Sequence, residues 1–346
     1  MRDGAAIAPS LSGRNTVAVT RNDVARSAGV SPAVVSYVLN DGPRPVSDAA
    51  RRRVLEAVKL LGYRPDGLAR SLRMGRTKTV GLVVPDASNP FFAELARSIE
   101  DAAYARGYAV MVCNSADDVE RERTYIASLA ERRIDGLILV SATKEHDLSD
   151  LTDLAIPVVA LDRSPDEAPV STIRADNERG AHAGTAHLIA HGHRAIAFVG
   201  GPDTGVSDAR EDGWRRALCE ADLDDSGADR ASFSFEGGYA AARSIVARPQ
   251  RPTAVLVSSD IQALGLLRGL DRAGLRVPDD IAVVAIDGTT AGEFAVPPLS
   301  TVAQPISAMG EQAVNHLIDN PSEVIHRALE NALVLRRSCG CEEQST

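Results

Sequence analysis

The stretch Thr20–Asn40, TRNDVARSAGVSPAVVSYVLN, decides how the amino-terminal part of the chain folds. Thr20 is placed to cap a helix, and Asp23, three residues on, can reach back to the cap as the acidic half of a capping box. Val24, Ala25 and Ala28 form an apolar stripe, and Gly29 breaks the helix. Ser31 can cap a second helix whose first position is Pro32, where a missing N–H costs nothing. Val30, Val35, Val38 and Leu39 then cover one face, while Ala33, Ser36, Tyr37 and Asn40 share the other. Short or polar side chains stand where an amphipathic core helix would carry charge, so this face can enter a major groove. Helix-turn-helix geometry alone leaves an ordinary helical hairpin equally open.

Working outward, Ser47 can cap a third helix running through Arg51, Arg52 and Arg53 to Leu61, with Gly62 just past its end. The reading is a headpiece over residues 20–64, preceded by a disordered tail over 1–19. Residues 65–78 mix helix formers with Gly67, Gly75 and basic side chains, too short a run for a stable lone helix, and read as a hinge helix or a flexible linker. Charge is segregated in the same way. Of 38 basic and 47 acidic residues, Met1–Lys78 holds fourteen and six, leaving 24 and 41 for the rest. A basic segment on an acidic body suits binding to phosphate backbone.

From Thr79 the pattern changes. Near-continuous apolar runs at Val80–Pro85, Ala109–Asn114, Gly136–Val140 and Pro157–Leu161 read as strands buried on both faces, as parallel sheets require. Pro90–Arg106 and Val119–Arg132 read as the crossover helices between them. The series restarts at Ala195–Gly201, Thr253–Asp260 and Ile281–Gly288, with helices at Asn177–Ala190, Ala209–Ala221, Tyr239–Arg248 and Ile261–Ala273. The expected fold is an all-α helix-turn-helix headpiece plus an α/β core of two doubly wound parallel-sheet lobes. Four cysteines are too few and scattered for a disulfide scaffold, and the terminal Cys339-Gly340-Cys341 reads as an exposed tail. No run approaches a membrane span and residues 1–19 lack the apolar core of a signal peptide, so a cytoplasmic protein is expected.

The motifs DVA (23–25), AGVS (28–31), VSYVLN (35–40), VS (46–47), RRRV (51–54), LGYRP (61–65) and ARSL (69–72) resemble, in order and spacing, the headpiece of the LacI/GalR family of repressors. NPFF (89–92), LDR (161–163), DN (176–177), HLIAHGHRAIAFVGG (187–201), Arg210 with Gly213-Trp214, GLRVPDDIAVV (274–284), PPLSTV (297–302) and RRSC (336–339) are similar to its regulatory domain. The resemblance implies a core like a periplasmic sugar-binding protein over 79–340. Lobe 1 would take about 79–176 and 303–333, lobe 2 about 177–302 and 334–340, with a late crossing near Val302 and a tail at 341–346. It also implies that residues 65–78 order on an operator and wedge Leu72 into the minor groove. The implied DNA-binding set is Thr20, Ser31, Pro32, Ala33, Ser36, Tyr37 and Asn40, with Ala69, Arg70 and Leu72 in the hinge. The family usually carries Thr-Val-Ser-Arg where this chain has Val34-Val35-Ser36-Tyr37, so a half-site sequence does not carry over.

In open α/β sheets ligands bind beyond the carboxyl ends of strands. Asp86 and Asn89 follow the first strand, Asp162 the fourth, Ser259 and Asp260 a second-lobe strand, Asp287 the next, and Gln304 the late crossing. Any one of these is as readily a cap or turn former; their recurrence points to one cleft. By resemblance, Arg210 and Asp287 clamp a polyol, a fork of donors beside an acceptor-only carboxylate. Phe91 and Phe235 would supply apolar walls. The family commonly has a second Asp at Gly288 and an aromatic at Ile306. Trp214 reads as core packing.

Of His182, His187, His191 and His193, only 187 and 191 stand four apart and no Glu follows the first, so no metal site is expected. Gly200-Gly201 and Gly237-Gly238 are not a dinucleotide loop, and no nucleophile elbow or base-paired Ser or Cys emerges, so neither a cofactor nor a catalytic residue is expected. The chain reads as a ligand-responsive transcriptional repressor, no enzyme, with double-stranded operator DNA, a sugar-like effector and a second copy of itself, as dimer or higher oligomer, as partners. A periplasmic solute receptor is opposed by the basic headpiece. A doubly wound sugar or nucleotide enzyme is opposed by the lack of a phosphate loop.

Overall fold

The computed structural model describes residues 19–39, 44–63, 75–141, 148–162, 168–202 and 208–342. The chain divides into two compact units, Met1–Gly75 and Arg76–Thr346.

In the first unit, helices α1 (Arg21–Ala28), α2 (Pro32–Leu39) and α3 (Asp48–Leu61) enclose Val24, Ala25, Ala28, Val35, Val38, Val54 and Ala57. The local signals act as their chemistry requires. Thr20 accepts from the Asp23 amide while the Asp23 carboxylate accepts from the Thr20 N–H at 3.0 Å, completing the capping box. Gly29 ends α1 at φ 64°, a conformation that side chains with a Cβ resist, and so permits the turn into α2. Ser47 caps α3 and Gly62 closes it at φ 61°.

The second unit contains two six-stranded sheets. In the first the strand order is β11-β5-β4-β3-β1-β2, with β1 Thr79–Val84, β2 Ala109–Asn114, β3 Gly136–Val140, β4 Val158–Leu161, β5 Ser171–Ala175 and β11 His326–Leu329. In the second it is β12-β10-β9-β8-β6-β7, with β6 Ile196–Gly200, β7 Ala228–Arg230, β8 Ala254–Val257, β9 Ala282–Asp287, β10 Ser300–Ala303 and β12 Ala332–Val334. Each sheet separates two apolar clusters, one on each face, which is why the inner strands β1, β3, β4, β6, β8 and β9 read as unbroken apolar runs; β2, expected to be buried on both faces, is an edge strand with Met111 and Val112 exposed. Val80, Leu82 and Val84 pack on one side of the first sheet and Val83 on the other.

Helices α4 (Pro90–Ala105) and α5 (Val119–Glu131) flank the first sheet, and α6 (Asn177–Ala190), α7 (Ala209–Glu220), α8 (Phe235–Ala247), α9 (Asp260–Arg272) and the single turn α10 (Thr290–Glu293) belong to the second lobe. Helix α11 (Ile306–Asp319) returns to the first lobe and packs on α4, where Ser98 Oγ donates to the Ser307 carbonyl at 3.1 Å.

Several expectations need correction. The lobe limits shift because β10 carries Ala303 in the second sheet, and because β12, antiparallel to β10, draws Ala332 and Leu333 there as well. That pair also breaks the all-parallel pattern. Helix α8 starts at Phe235 rather than Tyr239, since Ser234 Oγ caps it by accepting from the Gly237 amide at 3.0 Å. Gly237 and Gly238 lie inside that helix because its backbone runs against Ser232 and Gln262, where a Cβ on Gly238 would stand 1.8 Å from the Gln262 carbonyl oxygen. The terminal Cys-Gly-Cys is not an exposed tail. Cys339 is buried and Cys341 half-buried, because Ser338 anchors the segment by donating to the Val283 carbonyl at 2.7 Å and accepting from the Ser300 amide at 2.8 Å.

Candidate functional site

Ser31, Pro32 and Ala33 are exposed at the start of α2, and Ser36 and Tyr37 are half-buried. Thr20 is exposed, and its hydroxyl is engaged in the α1 cap, 2.6 Å from the Asp23 carboxylate. Asn40, Ala69, Arg70 and Leu72 lie outside the described residues, as does most of the expected hinge. Within the arginine triplet Arg53 serves the fold, since its Nε donates to the Ala28 carbonyl at 3.0 Å and ties α3 to the end of α1.

In the core, the strand-end residues fall into two groups. The first is engaged in local structure. Asp86 Oδ1 accepts from the amide and hydroxyl of Ser88, and Asn89 Oδ1 caps α4 by accepting from the Phe91 amide at 3.0 Å. Phe91 is buried edge-to-face against Phe92 in the first-lobe core rather than offered as a wall, because α4 turns it toward the sheet. Phe235 is 48% exposed at the start of α8. Ser259 caps α9 and sits 2.9 Å from Gln262 Oε1, while Gln262 Nε2 donates to the carbonyls of Gly200, Ala231 and Ser232.

The second group converges. Arg210 on α7, in the second lobe, places Nη2 3.9 Å from Asp162 Oδ1, which follows β4 in the first. Both are buried, so this is a buried cross-lobe ion pair. A second link, from the Thr290 amide to Glu94 Oε1 at 2.9 Å, also joins the lobes. Burial opposes the Arg210 charge, but the carboxylates of Asp162, Asp208 and Asp287 outweigh it and hold the guanidinium pKa above its ordinary value. Asp287 accepts from Gln304 Nε2 at 2.8 Å and from the Asp260 amide at 3.1 Å. Two polar atoms in this group, Arg210 Nε and Gln304 Oε1, are buried without a hydrogen-bond partner among the described residues. A buried donor or acceptor left unmatched costs free energy unless a ligand meets it.

Backbone strain marks the same residues. Asp162 has φ 62° and Asp287 φ 135°, positions costing about 1–3 kcal/mol for a residue with a side chain and kept where the surroundings fix them. Gly288, where the family commonly has Asp, has φ 81°, and a Cβ there would stand 2.5 Å from that of Ala303. A second carboxylate has no room.

By its position in the sequence Asp260 has no greater weight than other strand-end residues, yet it is the buried hub of this corner. Its carboxylate accepts from the Thr289 amide at 2.6 Å, the Thr289 hydroxyl at 2.8 Å and the Thr301 hydroxyl at 3.1 Å. Burial pushes the Asp260 carboxyl up to about 6, against these bonds, which pull it down. Burial, then the Asp260 charge, hold Asp287 well above the usual carboxylate range, with Arg210 opposing. A carboxyl raised in the fold from its ordinary 3.8 gives its full stabilisation below that value and loses it as pH rises through about 6. Asp260→Asn keeps an acceptor for Thr289 and cannot ionise. Its unfolding midpoint, compared with that of the parent, is expected to gain steadily between about pH 4 and 6; parallel melting curves across that range would mean that the fold does not raise the Asp260 pKa.

A two-lobed α/β core with a buried polar cleft, carried on the same chain as a helix-turn-helix unit, defines a ligand-binding DNA-reading protein. Residues 20–66 match the bacterial regulatory proteins of the lacI family, and residues 185–339 match the periplasmic binding protein-like domain. The chain is 35% identical over 330 residues to the HTH-type transcriptional repressor PurR of Photobacterium profundum, covering 92% of this chain and 98% of that one. It is 36% identical to the ribose operon repressor of Escherichia coli (strain K12), over 86% of this chain and 92% of that one. The solved lac repressor dimer bound to operator and the anti-inducer ONPF superposes with a TM-score of 0.83 at 28% identity, covering 93% of this chain and 99% of that one. The chain belongs to the lacI family of bacterial regulatory proteins and is a DNA-binding transcriptional regulator. Among its described residues no helix is long and apolar enough to cross a membrane.

Proposed function

We propose that the protein is a cytoplasmic, non-enzymatic repressor that grips a near-palindromic operator as a homodimer and is controlled by a small polyol, a sugar or sugar derivative, held between the lobes. The observation that carries the effector half is the cross-lobe pair Arg210–Asp162 with Arg210 Nε and Gln304 Oε1 unmatched beside it. A polyol whose hydroxyls meet Arg210 and also reach Asp162 bridges the lobes, so its binding energy is tied to how the lobes sit. The ribose operon repressor among the relatives agrees with that chemistry. A panel of sugars, sugar phosphates and purines tests it by thermal shift, since a ligand of the folded state raises its melting temperature by mass action. Stabilisation by purines and by no sugar would reverse the assignment of ligand class.

The dimer is supported by the first sheet's edge strand β2, which leaves Met111 and Val112 exposed, a row of unpaired backbone with apolar side chains. Val112→Asp is expected to shift the sedimenting species toward monomer.

On DNA, Arg52 stands exposed on α3, whereas the Nε of Arg53 donates to the Ala28 carbonyl. Arg52→Ala is expected to weaken binding to operator and random duplex alike and to lower the log–log salt slope by about 1, one phosphate contact. Tyr37→Ala should cost operator binding more than random binding, because its side chain faces the groove. Gel shifts on both duplexes across salt concentrations check the pair, and equal losses for Tyr37→Ala would remove it from the reading face. The hinge role of residues 65–78, with Leu72 as wedge, is part of the same proposal. Amide exchange over that segment with and without operator tests it, and protection unchanged by DNA counts against it.

A further inference from the structure

His187 and His191 stand one turn apart on α6, so their rings share a face, with centroids 4.4 Å apart. The histidines alone are too little to hold an ion. The carboxy-terminal segment supplies what they lack. After the short 3₁₀ turn Arg337–Cys339, Gly340 at φ 92° reverses the chain and brings Cys341 back beside Cys339. His187 Nε2 then lies 3.3 Å from Cys339 Sγ and 3.6 Å from Cys341 Sγ, and His191 Nε2 lies 3.5 Å from Cys341 Sγ. The ligand atoms of His187, Cys339 and Cys341 all fall within 4.8 Å of one another, the one such cluster among the described residues.

We propose that His187, His191, Cys339 and Cys341 form a tetrahedral Zn²⁺ site that fastens the carboxy-terminal segment to α6. Zn–S bonds of about 2.3 Å and Zn–N bonds of about 2.0–2.1 Å at tetrahedral angles set sulfur and nitrogen ligands about 3.6 Å apart. Three of the four sulfur–nitrogen distances in the set are 3.3, 3.6 and 3.5 Å; His191 contacts Cys341 alone, outside the close cluster of the other three, so its exposed ring has to turn toward Cys339 to become the fourth ligand. Thiolates with imidazoles and no carboxylate favour zinc over magnesium or calcium. On binding, both thiols release their protons, and two thiolates with two neutral imidazoles leave the site without net charge. The sulfurs are also held in place. Ser338 bolts the segment to β9 and β10, and Ser300 Oγ lies 3.0 Å from Cys339 Sγ, an outer contact that orients the ligand.

The test uses the full chain, reduced and stripped with a chelator, in a Cys113→Ser/Cys219→Ser background that removes the remaining thiols. Titration with Co²⁺ is expected to give visible bands of tetrahedral intensity and a near-ultraviolet thiolate-to-cobalt band, saturating at one ion per chain and displaced by Zn²⁺. Zinc should raise the melting temperature by several degrees, and a chelator should reverse the rise. Because Cys339 is buried, the decisive variants are at the more open positions: Cys341→Ser should lose the tetrahedral bands, and His191→Ala should weaken uptake at least tenfold. Unchanged bands in the Cys341→Ser/His191→Ala protein, no thiolate band in its parent, or a Cys339–Cys341 disulfide that persists under reduction and refuses cobalt would overturn the proposal.

Discussion

Replacing Arg210 by alanine is expected to abolish the response to effector and to cost the core about 3–5 kcal/mol, the scale for removing one partner of a buried ion pair. The side chain serves both lobes. It faces Asp162 across the cleft and lies in the field of Asp208 and Asp287 within its own lobe, so its loss takes the cation away from among these carboxylates. Arg210→Lys separates the two effects. A lysine keeps the charge but not the planar fork, so stability should largely return while effector affinity stays low, by about 1.5–3 kcal/mol for a lost bond to a charged group. Calorimetric titration with whichever ligand shifts the parent's melting temperature, beside chemical denaturation of each variant, reads both quantities. A lysine variant that binds effector as tightly as its parent would make Arg210 a structural residue only.

The second large effect is at Trp214, the chain's one tryptophan. It is fully buried, stacked on Phe198 with ring centroids 5.5 Å apart, in the second-lobe cluster that includes Leu188, Leu218, Leu256 and Val284. Trp214→Ala should lose about 3–5 kcal/mol through lost burial and the cavity left behind. Trp214→Phe should lose much less, because Nε1 has no hydrogen-bond partner among the described residues and its removal forfeits none. Urea denaturation followed by circular dichroism ranks the variants. In the parent the emission of Trp214 reports on the second lobe, four residues from Arg210, so an effector that moves α7 should also change its fluorescence.

What can be read from the residues divides by the range of the interactions. The headpiece is legible because each signal acts over a few positions: Thr20 with Asp23, Ser47 at the start of α3, Gly29 and Gly62 at helix ends. The inner strands are legible because burial on both faces forces apolar runs. Strands β5, β10, β11 and β12 do not stand out, being short and partly polar, and their identity depends on partners far away; Thr172 and His326 are 154 residues apart. The site is legible in its cationic centre and less so at its rim. A strand-end position predicts a polar residue but not whether that residue directs its hydrogen bonds to a ligand or, like Asn89 and Ser259, to the next helix. Nothing near the chain end hints that Cys339 and Cys341 lie against His187, since that meeting depends on Ser338 finding Val283.

The pairing of β11 with β5 also sets the order in which a newly made chain becomes competent. While the second lobe is being synthesised the first lobe waits, with β5 as a bare edge and the place of α11 unfilled, and the 154 residues between Thr172 and His326 take the ribosome roughly 8–30 s. The headpiece, whose three helices share one core within residues 20–63, has no such delay. Each molecule therefore acquires its reader early in its own translation, and the lobes that govern that reader only when its last strands emerge.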